Sequence, residues 1–271
     1  MRYYVPELYL GTLLPGSTQF VEQYGGLPWG LAPEKWPNCK ECGKPMSLIA
    51  QFCHHKERLN LGKEGRVLYL FQCEQNEGNC ATWDADCGAN AVVILEPEQV
   101  KGGTTFAPLE DIEILPEARI VNWIEKEDGV PNQWVEGLLD GDQYHEWFLD
   151  GVIPEEIEST KLGGFPEWLQ WPQAYGKPYY FAGQIDSGLK VMIPPEEEIY
   201  LERKVSDYGD HYYEITPNIG EKFWVYMDQS DQSEEPIYSI DFANFADSGI
   251  GYLFIDPDPE KPKGKFLWQC L

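Results

Sequence analysis

The sequence predicts a mainly β protein, α+β only in that it carries a few short helices, with an internal duplication of two related β-rich halves. Three observations lead there. Twenty-one Pro and 26 Gly among 271 residues cut the chain into short elements. The apolar runs between these breaks are rich in Val, Ile, Tyr, Phe and Trp, side chains that suit a pleated surface. Finally, segments of the first part recur in the same order in the second.

Taken in order, Ser17 is placed to cap a short helix over Thr18–Tyr24, which Gly25 stops. Met46–Phe52, Gly65–Cys73 and Ala89–Leu95 read as strands, and Ala118–Glu125 alternates as a half-exposed strand does. Gln143–Val152 suits a short helix. Pro154 followed by Glu155 and Glu156 opens another, running to about Lys161. Lys265–Leu271 reads as a terminal strand.

The repeat rests on three matches. Gly25-Gly26-Leu27-Pro28-Trp29-Gly30-Leu31 agrees with Gly163-Gly164-Phe165-Pro166-Glu167-Trp168-Leu169 at four of seven positions. Gly43-Lys44-Pro45-Met46-Ser47-Leu48-Ile49-Ala50-Gln51 agrees with Gly176-Lys177-Pro178-Tyr179-Tyr180-Phe181-Ala182-Gly183-Gln184 at four of nine. Tyr69-Leu70-Phe71 returns as Tyr252-Leu253-Phe254. The first copy carries five extra residues, in the loop that holds Cys39 and Cys42. This divides the chain into a first half, 1–135, with the cysteine loop, and a second, 136–271, within one compact unit. The second half has a long insertion after Gln184 holding two polar runs, Pro194–Glu198 and Asp228–Glu235, which read as solvated loops. It lacks the cysteines, so its fold is expected to rest on aromatic packing near Trp168, Trp171 and Tyr179.

Pro37-Asn38-Cys39-Lys40-Glu41-Cys42-Gly43-Lys44-Pro45 is the strongest local signal. Two cysteines separated by two residues place both sulfurs on one side of a tight turn, and Gly43 supplies the backbone freedom that follows. Cys73 and Cys80 offer a second pair. Cys39, Cys42, Cys73 and Cys80 are therefore expected to hold one structural Zn²⁺, with Lys40 and Lys44 offsetting the net charge of four thiolates and a divalent ion. Cys53, His54, His55 and Cys87 are the alternatives for a single place in that set.

The formal net charge is -26, of which the first 135 residues contribute -8 and the rest -18. A field of that sign repels nucleic acid and anionic membrane and speeds encounter with a basic partner. An acidic surface kept for solubility is the plainer reading of the same charge. Met1–Glu7 has no continuous apolar core of a secretory signal, and no run approaches the roughly 18 apolar residues of a membrane span. Seven cysteines with one C-x-x-C pair fit metal ligation in a reducing cytosol, so the expected location is cytoplasmic.

Catalytic signatures do not emerge. The sequence has no G-x-S-x-G elbow and no phosphate-binding loop. His145-Glu146 begins like a zinc-protease helix, but Leu149 stands where the second His belongs. Asp84-Ala85-Asp86 begins like a calcium loop, yet Gly88 comes one place early and Leu95 replaces the bidentate Glu.

Gly25-Gly26-Leu27-Pro28-Trp29, the loop Cys39-Lys40-Glu41-Cys42-Gly43-Lys44-Pro45-Met46, Gln51 and Leu68-Tyr69-Leu70-Phe71-Gln72-Cys73 together resemble the YwqG family, a bacterial family of unknown function. The echo from Leu162 to Asp186, Phe254 and Trp268-Gln269-Cys270 extend the likeness in patches over most of the chain. The related programmed cell death protein 2 family of eukaryotes is similar too. The resemblance implies a largely β protein of two related halves, and its eukaryotic members act as chaperones that hold a newly made ribosomal protein. The Cys73-to-Cys80 spacing and the insertion after Gln184 depart from the eukaryotic pattern. The expected function is a non-enzymatic protein-binding module with a structural zinc site, chaperone-like toward a basic client. An immunity or antitoxin-like inhibitor of a toxin and a metal-dependent enzyme are the alternatives.

Overall fold

Among the described residues, many of the short apolar runs between Gly and Pro become strands. The computed structural model describes residues 1–11, 19–76, 78–108, 112–131, 141–153, 157–193, 202–206, 209, 211–216, 221–227 and 237–271. In chain order these include β1 (Arg2–Leu10), β2 (Gln23–Tyr24), β3 (Ser47–Cys53), β4 (Val67–Gln72), β5 (Asn90–Leu95) and β6 (Ala118–Glu127). Helix α1 (Gly141–Leu149), β7 (Lys161–Gly163) and β8 (Tyr180–Asp186) follow. The insertion contributes β9 (Gly188–Val191), β10 (Glu202–Val205), β11 (His211–Ile215), β12 (Phe223–Met227) and β13 (Tyr238–Asp241). The hairpin β14 (Ile250–Asp256) and β15 (Lys263–Gln269) closes the chain. The protein is mainly β.

Ten strands form one sheet in the order β15-β14-β8-β7-β1-β6-β2-β3-β4-β5. Its two ends approach to make a nearly closed barrel: Asn90 Nδ2 donates to Phe266 O at 3.0 Å, and a Cβ on Gly264 would stand 2.3 Å from Val92 Cγ1. β4 and β14, one strand in from each end, are buried along their full length, which requires a neighbour on both edges and cover on both faces.

The order has the same sense from both ends, with β6 and β1 meeting in the middle. β2 lies between β3 and β6 as β7 lies between β8 and β1. Local detail matches as well. Ile49 is the extra residue of a bulge against β4, and Ala182 is the extra residue of a bulge against β14, each two places before a buried glutamine. Gln51 Oε1 accepts from the Trp29 amide at 2.9 Å, and Gln184 Oε1 accepts from the Glu167 amide at 2.9 Å. Tyr69 Oη donates to Trp29 O, and Tyr252 Oη donates to Glu167 O.

The insertion builds a second sheet, β10-β11-β12-β13-β9. It joins the first through β1, where Leu10 N donates to Met192 O and Met192 N donates to Leu8 O. Ile215, Val225 and Ile240 then face the common core with Leu8, Tyr24 and Phe52. The polar runs Pro194–Glu198 and Asp228–Glu235 lie outside the described residues.

Two expected helices are corrected. Ser17 and Thr18 lie outside the described residues, residues 19–22 are irregular, and Gln23–Tyr24 is β2. Tyr24 is fully buried, and pairing with strands on both sides offers more hydrogen bonds than an isolated seven-residue helix could keep. Of the helix expected from Pro154, residues 154–156 lie outside the described set, 157–160 are irregular, and Lys161 opens β7. The expected strands and the helix near Gln143 are present with shifted ends. In the second half Trp168 packs on Tyr252 at 4.4 Å between ring centroids and Tyr179 joins the same cluster, whereas Trp171 is 59% exposed. Among the described residues no helix is long and apolar enough to cross a membrane.

Candidate metal centre

The cysteine loop is shaped by its own backbone before any ligand is considered. Cys39 N donates to Lys44 O at 2.8 Å and Gly43 N donates to Cys39 O at 2.9 Å, so the chain reverses between the two cysteines. Gly43 sits at φ 75°, a left-handed conformation that costs a glycine little. Asn38 and Pro45 bridge the base of the turn, and Trp36 Nε1 donates to Met46 O at 2.9 Å beneath it.

The second pair comes from the turn that follows β4. Cys73 N donates to Ala89 O at 2.9 Å, anchoring the start of this loop to the residue before β5. Cys80 N reaches Asn76 O at 3.3 Å, which curls the loop back toward Cys73. Two links then fix the loops to one another. Lys40 N donates to Gly88 O at 3.0 Å, and the Glu41 carboxylate accepts from the Ala81 amide.

These turns bring Cys39, Cys42, Cys73 and Cys80 together, with all four sulfurs within 4.8 Å of one another. Cys42 Sγ and Cys73 Sγ are 3.6 Å apart. A tetrahedral site with metal–sulfur bonds of about 2.3 Å places its sulfurs about 3.8 Å apart, whereas a disulfide needs about 2.05 Å. Cys39, Cys73 and Cys80 are buried and Cys42 is partly so. Four soft donors in a closed, mostly dry set fit a thiophilic divalent ion.

The electrostatics are those of thiols packed together. Burial, reinforced by Cys42 and Cys39 and opposed by the Gln75 amide, holds Cys73 well above the ordinary thiol range. Burial first, then Cys39 and Cys42, push Cys80 up to about 11. At Cys42 burial also pushes upward, but the Lys44 amide and the neighbouring sulfurs outweigh it and the net displacement is downward. The Lys44 and Gln75 amides each lie two residues beyond the cysteine they serve, one on each loop. A bound cation would favour the thiolate at every member of the set.

The alternatives are occupied elsewhere. Cys53 Sγ lies 3.2 Å from Glu22 Oε1, and burial beside that carboxylate pushes its thiol up to about 12. His54 Nδ1 accepts from the Leu61 amide at 3.0 Å, and His55 Nδ1 accepts from the Arg58 amide at 3.1 Å. Cys87 Sγ donates to Ala81 O at 2.7 Å. None of the four belongs to the sulfur cluster. The sequence missed the Glu41–Ala81 and Lys40–Gly88 links, since nothing local in the chain marks such contacts between loops. The sulfur-directed amides follow from the turn itself and were within reach of the spacing. Compared with protein-family models and with curated proteins, the chain matches none.

Proposed function

We propose that this chain is a non-enzymatic protein-binding module whose first half is pinned by one structural Zn²⁺ on Cys39, Cys42, Cys73 and Cys80, and that its client is basic. The observation carrying the metal half of this reading is the convergence of four sulfurs from two separate loops. With four protein ligands the coordination shell is full, which is the hallmark of structural rather than catalytic zinc. The ion would cross-link the β2–β3 connection to the β4–β5 connection and supply folding free energy. Structural zinc contributes about 10–16 kcal/mol in small peptides, against about 5–15 kcal/mol for a whole domain.

Charge supports the binding half. An excess of 26 acids over bases favours association with a basic protein. We further infer that the two halves descend from one duplicated unit, a reading supported by the matching bulges and the matched Gln51 and Gln184 bonds. Membership of the YwqG family belongs to the same proposal and rests on the quoted motifs. The test is to use the chain as bait in a lysate at low salt. Enrichment of one or a few basic proteins, released by salt, is expected, and recovery of no basic protein contradicts the proposal.

A further inference from the structure

We infer that the four-sulfur cluster is a redox switch: a hydroperoxide oxidises Cys42, Cys73 closes on it as a disulfide, and the Zn²⁺ is released. This rests on the zinc reading above and names the regulation of that site.

Exposure sets where the oxidant enters. Within the cluster Cys39, Cys73 and Cys80 are 1%, 3% and 2% exposed, while Cys42 reaches solvent in part. An oxidant arriving from water therefore meets the Cys42 sulfur first. The thiolate is the reactive form, and a bound cation keeps Cys42 in it. Two other partly exposed thiols are committed as donors, Cys53 Sγ to Glu22 Oε1 at 3.2 Å and Cys87 Sγ to Ala81 O at 2.7 Å. Cys270 stands outside the cluster.

Distance and freedom select the partner sulfur. Cys42 Sγ lies 3.6 Å from Cys73 Sγ, and a disulfide requires the two to close by about 1.5 Å, to about 2.05 Å. They stand on separate loops, so they approach by movement of one loop against the other. Gly43 and Gly78 give those loops their freedom, each at positive φ (75° and 69°) with nothing within 4 Å of a Cβ placed there. A cavity of about 80 Å³ bordered by Cys73, Gly78 and Cys80 leaves room for the shift. Cys39 is less free to close on Cys42, because the turn they share is already fixed by the Cys39–Lys44 and Gly43–Cys39 backbone bonds. The Lys40–Gly88 and Glu41–Ala81 links contain no sulfur, so they keep Cys42 beside Cys73 throughout the exchange.

The Cys42 thiolate attacks one peroxide oxygen, the O–O bond breaks and hydroxide leaves, so Cys42 becomes a sulfenic acid. The Cys73 thiolate then attacks the Cys42 sulfur, forming the S–S bond and expelling a second hydroxide. One hydroperoxide is thereby reduced by two electrons, one from each sulfur. Cys39 and Cys80 alone do not fill a four-coordinate shell, and the ion is lost.

The test uses the full wild-type chain, its zinc content measured first, and beside it a variant that keeps only the cluster cysteines (Cys53→Ser, Cys87→Ser, Cys270→Ser). Hydrogen peroxide is added, zinc release is followed with a chromogenic chelator, and disulfides are located by peptide mapping without reduction. Both chains are expected to release one zinc per peroxide consumed, to yield a peptide linked through Cys42 and Cys73, and to recover their zinc after dithiothreitol and added Zn²⁺. A brief iodoacetamide pulse on the loaded chain is expected to label Cys42 about tenfold faster than Cys39, Cys73 or Cys80. A folded chain with no zinc before peroxide would overturn the zinc reading and the switch together. A loaded chain that keeps its zinc, that loses it without a Cys42–Cys73 bond, or in which a buried cluster cysteine is labelled as fast as Cys42, would overturn the switch and leave the zinc reading standing.

Discussion

Cys42 Sγ stands 3.6 Å from Cys73 Sγ although 31 residues separate them in the chain. That proximity ties the loop before β3 to the loop after β4, on either side of the most deeply buried hairpin of the first half. Replacing Cys73 with Ser is therefore expected to remove one of the four clustered sulfurs and, with it, the proposed metal cross-link, at a cost of about 3 kcal/mol or more. Cys270→Ser, outside the cluster, is expected to stay within about 0.5 kcal/mol of wild type. Urea unfolding followed by Trp fluorescence distinguishes them.

Lys161 is 1% exposed, with Nζ donating to Phe165 O at 2.6 Å and lying 5.0 Å from the Tyr3 ring centroid. Burial pushes its ammonium down to about 8, against an opposing pull from Asp128, Glu167 and Glu158. The folded value lies below the unfolded one, so the unfolded chain holds the extra proton between about pH 8 and pH 10.5. Stability from this group therefore rises with pH across that window, and the burial cost is fully present below it. Its size is about 3 kcal/mol at most. Gln23 occupies the matching place in the first half and donates to Leu27 O, so Lys161→Gln is the conservative replacement. The difference in unfolding free energy between wild type and Lys161→Gln should change with pH from 7 to 10; a constant difference would show that the amine is not buried as described.

Arg66 is a fully buried cation that stitches the halves together. It donates to Glu96 Oε1 at 2.7 Å, to Leu61 O at 2.7 Å and to Asp258 O and Pro259 O in the turn between β14 and β15. Arg66→Met leaves three carbonyls without donors and is expected to cost about 2–4 kcal/mol. Hydrogen exchange should show the loss in both the 61–66 and the 257–262 segments; an effect confined to the first would deny Arg66 its bridging role.

Gln51 and Gln184 make equivalent bonds at equivalent bulges. Gln51→Leu and Gln184→Leu are each expected to leave a partly buried backbone amide unpaired and cost about 1–3 kcal/mol. Comparable losses in denaturant unfolding support the matched geometry, and a loss at one site alone contradicts it.

Much of the first half could be read directly from the sequence because its signals are local. The run Val67–Gln72 is unbroken and β-forming, and C-x-x-C followed by Gly states its own turn. The helix expected at Thr18–Tyr24 failed because Gln23 and Tyr24 answer to β3 and β6, strands distant in sequence. The second sheet was hidden for a different reason. Strands such as Glu202–Val205 are four residues long and mostly charged, so neither length nor alternation separates them from a solvated loop. The Trp83–Trp268 pair joins positions 185 residues apart, and no pattern in the chain announces it.

The most direct test of the central claim is the mass of the folded chain measured under native conditions after purification without chelator. A mass one zinc ion above that of the polypeptide is expected, with the extra mass lost in the Cys73→Ser variant. A folded wild-type chain at the bare polypeptide mass would contradict it.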